Sequence, residues 1–207
     1  MKAPKAMNVR ILAIAMAALC STTMFGQAPP AAPQGPVEPA KAADFMVSGA
    51  EKDFISLIEA MPADKYSFAP SSSLFKAPES VDFKGVRTFA QLVTHTIQAN
   101  YFYWSAVLGE KPDQEKLATI GKLTEKDAIV KAAKESMEYG HKAAASITAA
   151  NAFEGAGRGA ASTKLISLAG GVSHIRDEYG QMVVWGRMVG VAPPASSGRP
   201  PANPTNK

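Results

Sequence analysis

The sequence predicts an all-α domain, a four-helix bundle. Three observations carry this reading. Four long segments each keep apolar residues on one face at the helical period. No segment sustains the two-residue alternation of a strand. The region between two Pro-rich stretches holds about 150 residues, the size of one ordinary domain.

In chain order, residues 1–28 read as a secretory signal. Lys2, Lys5 and Arg10 form a positive start, Ile11–Cys20 is a short apolar core, and Gly26-Gln27-Ala28 offers a small-residue cleavage site. The apolar run is too short to span a bilayer comfortably, so no stable membrane insertion is expected after cleavage. Lipid attachment at Cys20 ranks second, because Leu19 suits it poorly. Residues 29–43 are Pro/Ala-rich and read as a stiff linker. The bundle is expected over 44–192, with 193–207 as a disordered Pro/Ser/Asn-rich tail.

Within the bundle, the first helix is expected over 44–61, with Val47, Phe54, Ile58 and Met61 inward. A long connection, 62–85, carries Tyr66, Phe68, Leu74 and Phe75 and should drape over one bundle end. The second helix, 86–108, points Phe89, Leu92, Val93, Thr96, Ala99, Tyr103 and Val107 inward. The third, 124–149, has Thr124 as N-cap and a stripe of Ile129, Ala132, Ala133, Ser136, Gly140, Ala143 and Ile147. Those small residues would let a neighbour approach closely. The fourth, 162–189, turns Leu165, Leu168, Val172, Ile175, Tyr179 and Met182 inward, and Gly190 can end it in the left-handed region. Gly170-Gly171 inside this helix points to a close helix contact or a kink.

Composition excludes several functions. Of 22 Lys and Arg, three lie in the leader, and the remaining 19 face 18 Asp and Glu. A near-neutral mature chain without a basic block is a poor nucleic-acid binder. Cys20 is the only cysteine, so the mature chain has neither an internal disulfide nor a thiol nucleophile.

Three side chains can bind metal together. His174 and Glu178 are four apart on one helix face, and His95 stands on the second helix. On a helical wheel, His95 and His174 lie about 100° and Glu178 about 60° from their stripe centres, edge positions that can face a groove. His141 lies about 140° from its stripe and reads as solvent-exposed, not a ligand. The competing reading is structural: His174 pairs with Glu178, or Glu178 meets Arg176 or Lys164 at the surface. Asp177 and Arg176 read as a solvated face, and Tyr101–Trp104 as packing around the second helix.

The order of these motifs resembles DinB-like (DinB/DUF664-type) proteins over roughly residues 44–194. Met61–Pro70 is similar to the loop after that family's first helix. Phe89–His95 with Asn100-Tyr101-Phe102 is similar to its second helix, and His174–Gly180 with Val183–Pro194 to its last helix and exit. The resemblance implies an up-down-down-up bundle with a crossover between the second and third helices. Residues 109–123 reach about 50 Å if extended, enough to span a helix length. It also implies a metal site of three histidines, matched here by His95 and His174. At the third position this chain has Glu178. Two histidines and a glutamate suit zinc, nickel or iron(II), with an open position for water.

The function this implies is that of an exported, secreted or periplasmic, divalent-metal-binding protein with hydrolase- or transferase-like chemistry. Some relatives transfer small thiols, which export disfavours. The alternative is a non-catalytic binding module with a degenerate site. A small molecule and a second copy of the chain are the candidate partners; nucleic acid is not.

Overall fold

A computed structural model describes residues 35–74, 82–157 and 159–196. The leader and most of the tail expected from sequence lie outside the described residues. The described chain is helical, with five α-helices: α1 (Pro39–Ala60), α2 (Phe89–Leu108), α3 (Gln114–Ile120), α4 (Lys126–Ala145) and α5 (Lys164–Met188). Among the described residues there is no strand, only an isolated bridge between Gly155 and Thr163. No described helix is long and apolar enough to cross a membrane.

α1 begins five residues ahead of expectation, inside the segment read as linker. Pro39 occupies its first turn, where a fixed φ fits and a missing N–H costs nothing. The alanines that follow are strong helix formers. α2 starts on a capping box: the Thr88 hydroxyl accepts from the Gln91 amide, and the Gln91 side chain accepts from the Thr88 amide. It stops at Gly109, whose φ of 71° favours glycine. α4 corrects the expected cap, because Glu125 and not Thr124 holds the N-cap position. The Thr124 hydroxyl instead meets the Glu125 carboxylate at 3.3 Å. α5 is capped by Thr163, which accepts from the Ile166 amide, and Gly190 follows it at φ 86° as expected.

The stretch expected as an extended crossover contains α3, capped by Asp113 accepting from the Lys116 amide at 3.0 Å. The long connection is stitched down at its start. Tyr66 is buried and donates to the Ile58 carbonyl, while the Phe89 and Ala90 amides donate to the Phe68 and Tyr66 carbonyls. Leu74, further along, is exposed.

α1 and α2 each pack against both α4 and α5. The inward residues expected on α1 are all buried. On α2, Ala99 and Tyr103 are only half-buried, whereas Ile97, Asn100, Tyr101 and Trp104 are buried beside the expected stripe. Contact with two helices widens the buried face beyond one stripe. Leu165, Val172 and Tyr179 of α5 are likewise half-buried at the stripe margin.

Trp104 is the largest fully buried side chain, and glycines make room for it. A Cβ at Gly140 would stand 3.0 Å from the indole, and one at Gly171 would stand 2.6 Å from it. Gly170 lies against the Tyr103 ring in the same way. The glycine pair in α5 therefore serves close approach of α2. That approach continues one turn along α5, to His174, and about two turns along α2, to His95.

Candidate metal centre

His95, His174 and Glu178 converge. Each offers a ligand atom, and the three atoms lie within 4.8 Å of one another. Glu178 Oε1 stands 3.7 Å from the Nε2 atoms of both His95 and His174. The two imidazole rings meet edge to face, centroids 5.2 Å apart. The sequence expectation that Glu178 could reach the surface is corrected: the residue is 6% exposed. Arg176 turns away to Asp53, and Lys164 pairs with Glu154 at 3.1 Å. Half a turn of helix separates Arg176 from Glu178, and only Glu178 faces α2.

The triangle fits a divalent ion by donor chemistry and by what it lacks. A distance of 3.7 Å exceeds hydrogen-bond length, so the three groups aim at one another without bonding. Ligands about 2.0–2.1 Å from a tetrahedral zinc stand roughly 3.3 Å apart, so small side-chain rotations would close the set. A nearly dry carboxylate also wants a cation. Its second oxygen accepts only a 3.3 Å contact from Gln181 Nε2. His174 departs from the usual pattern. Its Nδ1 is buried without a hydrogen-bond partner among the described residues, whereas a ligating histidine normally donates from its other nitrogen.

Burial favours ligation at His95 and opposes it at Glu178, because a ligating carboxylate must be ionised. Burial holds His95 below the ordinary histidine range, and the charges of Arg87 and His174 push the same way. A neutral imidazole keeps its lone pair for a metal. Burial raises Glu178, with Asp177 adding to the rise, while His174 and Arg87 oppose it. His95 also lines an open groove of about 490 Å³ shared with Arg87, Gln91, Thr94 and Gln98.

His141 is corrected too. It is half-buried between α1 and α4, with Nδ1 2.5 Å from Asp44 and Nε2 3.0 Å from Glu51. It takes no part in the metal centre. Sequence reasoning missed two residues near the site. Gln181 follows Glu178 at helical spacing and could have been found that way. Arg87 fell inside the expected second helix, 86–108, but α2 begins at Phe89, so the residue lies in the preceding loop and its helical position carried no signal.

No protein-family model matches the chain, and no curated protein matches it in sequence. Its fold is similar to the crystal structure of a conserved protein from Enterococcus faecalis, with a TM-score of 0.55. The match covers 74% of this chain and 98% of that one at 13% identity, a likeness of fold alone.

Proposed function

We propose that this chain is an exported DinB-like protein whose bundle holds a catalytic divalent ion at His95, His174 and Glu178. The observation that carries the reading is the convergence of two imidazoles and one nearly buried carboxylate that do not bond one another. The pattern of contacts supports an up-down-down-up bundle. Asn100 meets Ser136 and Trp104 meets Gly140, so α2 and α4 run the same way. Asp44 meets His141 and Glu59 meets Lys134, so α1 opposes α4. Gly49 meets Arg176 and Leu57 meets Gly186, so α1 and α5 agree. α3 then lies within the crossover. Export rests on the leader-like residues 1–28.

The chain's own groups divide the work. His95, which burial holds toward its neutral form, and His174 would offer nitrogen lone pairs to the ion, and Glu178 would offer negative charge. Gln181 steadies the outer carboxylate oxygen. Leu92, Ile175 and Met182, all buried, keep bulk water from the core side of these helices. A bound zinc, nickel or iron(II) would supply Lewis acidity. An anionic ligand donates more charge than a third histidine and would temper that acidity.

The test is metal analysis of the untagged mature protein, as purified and after reloading with each ion. About one equivalent in wild type, lost in His95→Ala and His174→Ala, is expected. No uptake of any of the three ions would sink the reading.

A further inference from the structure

Arg87 is exposed beside His95 and forms no ion pair among the described residues. It lines the same groove as His95, and its positive charge acts on both His95 and Glu178. No described carboxylate lies within 4.0 Å of it.

The other polar side chains of the groove have duties already. Gln91 accepts from the Thr88 amide, Thr94 donates to the Gln91 carbonyl, and Gln98 donates to the Leu117 carbonyl. Gly121 leaves the space for that last bond, because a Cβ there would stand 2.7 Å from Gln98 Nε2. Arg87 is thus the one charged donor of this lining without a partner among the described residues, with a planar fork suited to two oxygens at once.

The charge count points the same way. A divalent ion brings two positive units and Arg87 one. Glu178 and the nearby Asp177 bring one negative unit each. The filled centre stays net positive, and an arginine beside a cation is unfavourable unless an anion lies between or beside them.

We propose that the groove at His95 is the substrate subsite of this centre and that Arg87 receives an oxyanion there, so that the substrate is a small molecule bearing a carboxylate or phosphate. The inference rests on the metal reading above. Arg87 acts as a binding residue: it grips the end of the substrate remote from the reacting bond and sets its reach toward His95 and Glu178.

The experiment titrates inorganic phosphate and, separately, acetate into nickel-loaded protein freed of excess ion, followed calorimetrically. Arg87→Ala should weaken binding of the preferred anion roughly tenfold, with Arg87→Lys in between. The melting temperature should stay unchanged, since Arg87 is an exposed non-ligand, and nickel affinity should hold or rise slightly, because a positive charge beside the ion is removed. The anion that shows the Arg87 dependence identifies the substrate group. Nickel uptake with anion binding that is absent, or equal in wild type and Arg87→Ala, overturns this inference alone. Failure to take up any metal overturns the metal reading and this inference together.

Discussion

Glu178 is the residue whose chemistry separates the metal reading from a merely structural one. A carboxylate 6% exposed, with burial raising its pKa, opposes folding when no cation is present. A raised folded-state value means the group contributes most below its unfolded pKa and loses that contribution as pH rises through the folded one. Glu178→Gln should therefore stabilise the metal-free protein at neutral pH. The gain is about 1 kcal/mol, the low end of the cost of burying an uncompensated polar group, or roughly 2–4 °C in melting temperature. It should shrink away as pH falls into the range where Glu178 protonates, and the same variant should bind nickel or zinc more weakly. A variant that melts lower at neutral pH without metal would contradict this account. His174 and Glu178 were legible together because a four-residue spacing gives them one helix face, and His95 joined them through its edge position and the family resemblance. His141 was not. A wheel angle measures distance from an apolar stripe and cannot see that α1 brings Asp44 and Glu51 to the same spot. Arg87 was invisible for a related reason: the second helix was expected from residue 86, whereas α2 starts at Phe89 and leaves Arg87 in a loop, which has no face until it is folded.

At the scale of elements, glycine positions decide how close the helices come. A methyl at Gly171 would press 2.6 Å from the buried indole of Trp104 and 3.0 Å from Tyr103 Cβ. Neither is the free end of a flexible chain, so Gly171→Ala should cost about 3 kcal/mol or more. Gly180 sits in the same helix with nothing within 4 Å of a new Cβ. Gly180→Ala should stabilise by roughly 0.5–1 kcal/mol. Chemical denaturation of both variants checks the pair, and similar effects from both would refute the packing argument. The α1–α4 contact adds a pH-dependent clamp. Burial lowers the His141 pKa, but hydrogen bonds to Glu51 and Asp44 outweigh it and raise the value above the ordinary one. The clamp is therefore fully present below the unfolded histidine pKa and lost as pH rises through the folded value. Solvent reaches this imidazole, which limits its worth to about 1 kcal/mol. His141→Gln should cost that much near pH 5.5 and little near pH 9, read from melting temperatures across pH. The four long helices were legible because each keeps its apolar period for five turns or more. α3 was missed because its seven residues are too few to show a period, although Asp113 marks its start.

For the whole molecule, the candidate ligands come from two helices that are far apart in sequence, and the ion would tie them together. α2 and α5 already meet through Trp104, Tyr103 and the Gly170-Gly171 pair. The end of that seam at His95, His174 and Glu178 is the weak one, since the polar groups there stand 3.7 Å apart, beyond hydrogen-bond length. An ion that binds the folded chain and not the unfolded one stabilises it by mass action, about 2.7 kcal/mol at a free concentration 100 times the dissociation constant. For a chain this long that is roughly 5–10 °C. Loading with nickel or zinc should raise the melting temperature by this amount. The rise should vanish in His95→Ala, whose own metal-free stability should change little because the ring is half-exposed and hydrogen-bonds no described partner. The comparison separates the two readings of the site. If His95 and His174 served only to satisfy Glu178, removing one would lower the metal-free melting temperature and metal would shift nothing. If the triangle is a metal site, the metal-free protein tolerates His95→Ala and only the metal-dependent rise is lost. A differential scan of wild type and variant, each with and without ion, decides between them, and a metal-independent drop in His95→Ala would favour the degenerate site.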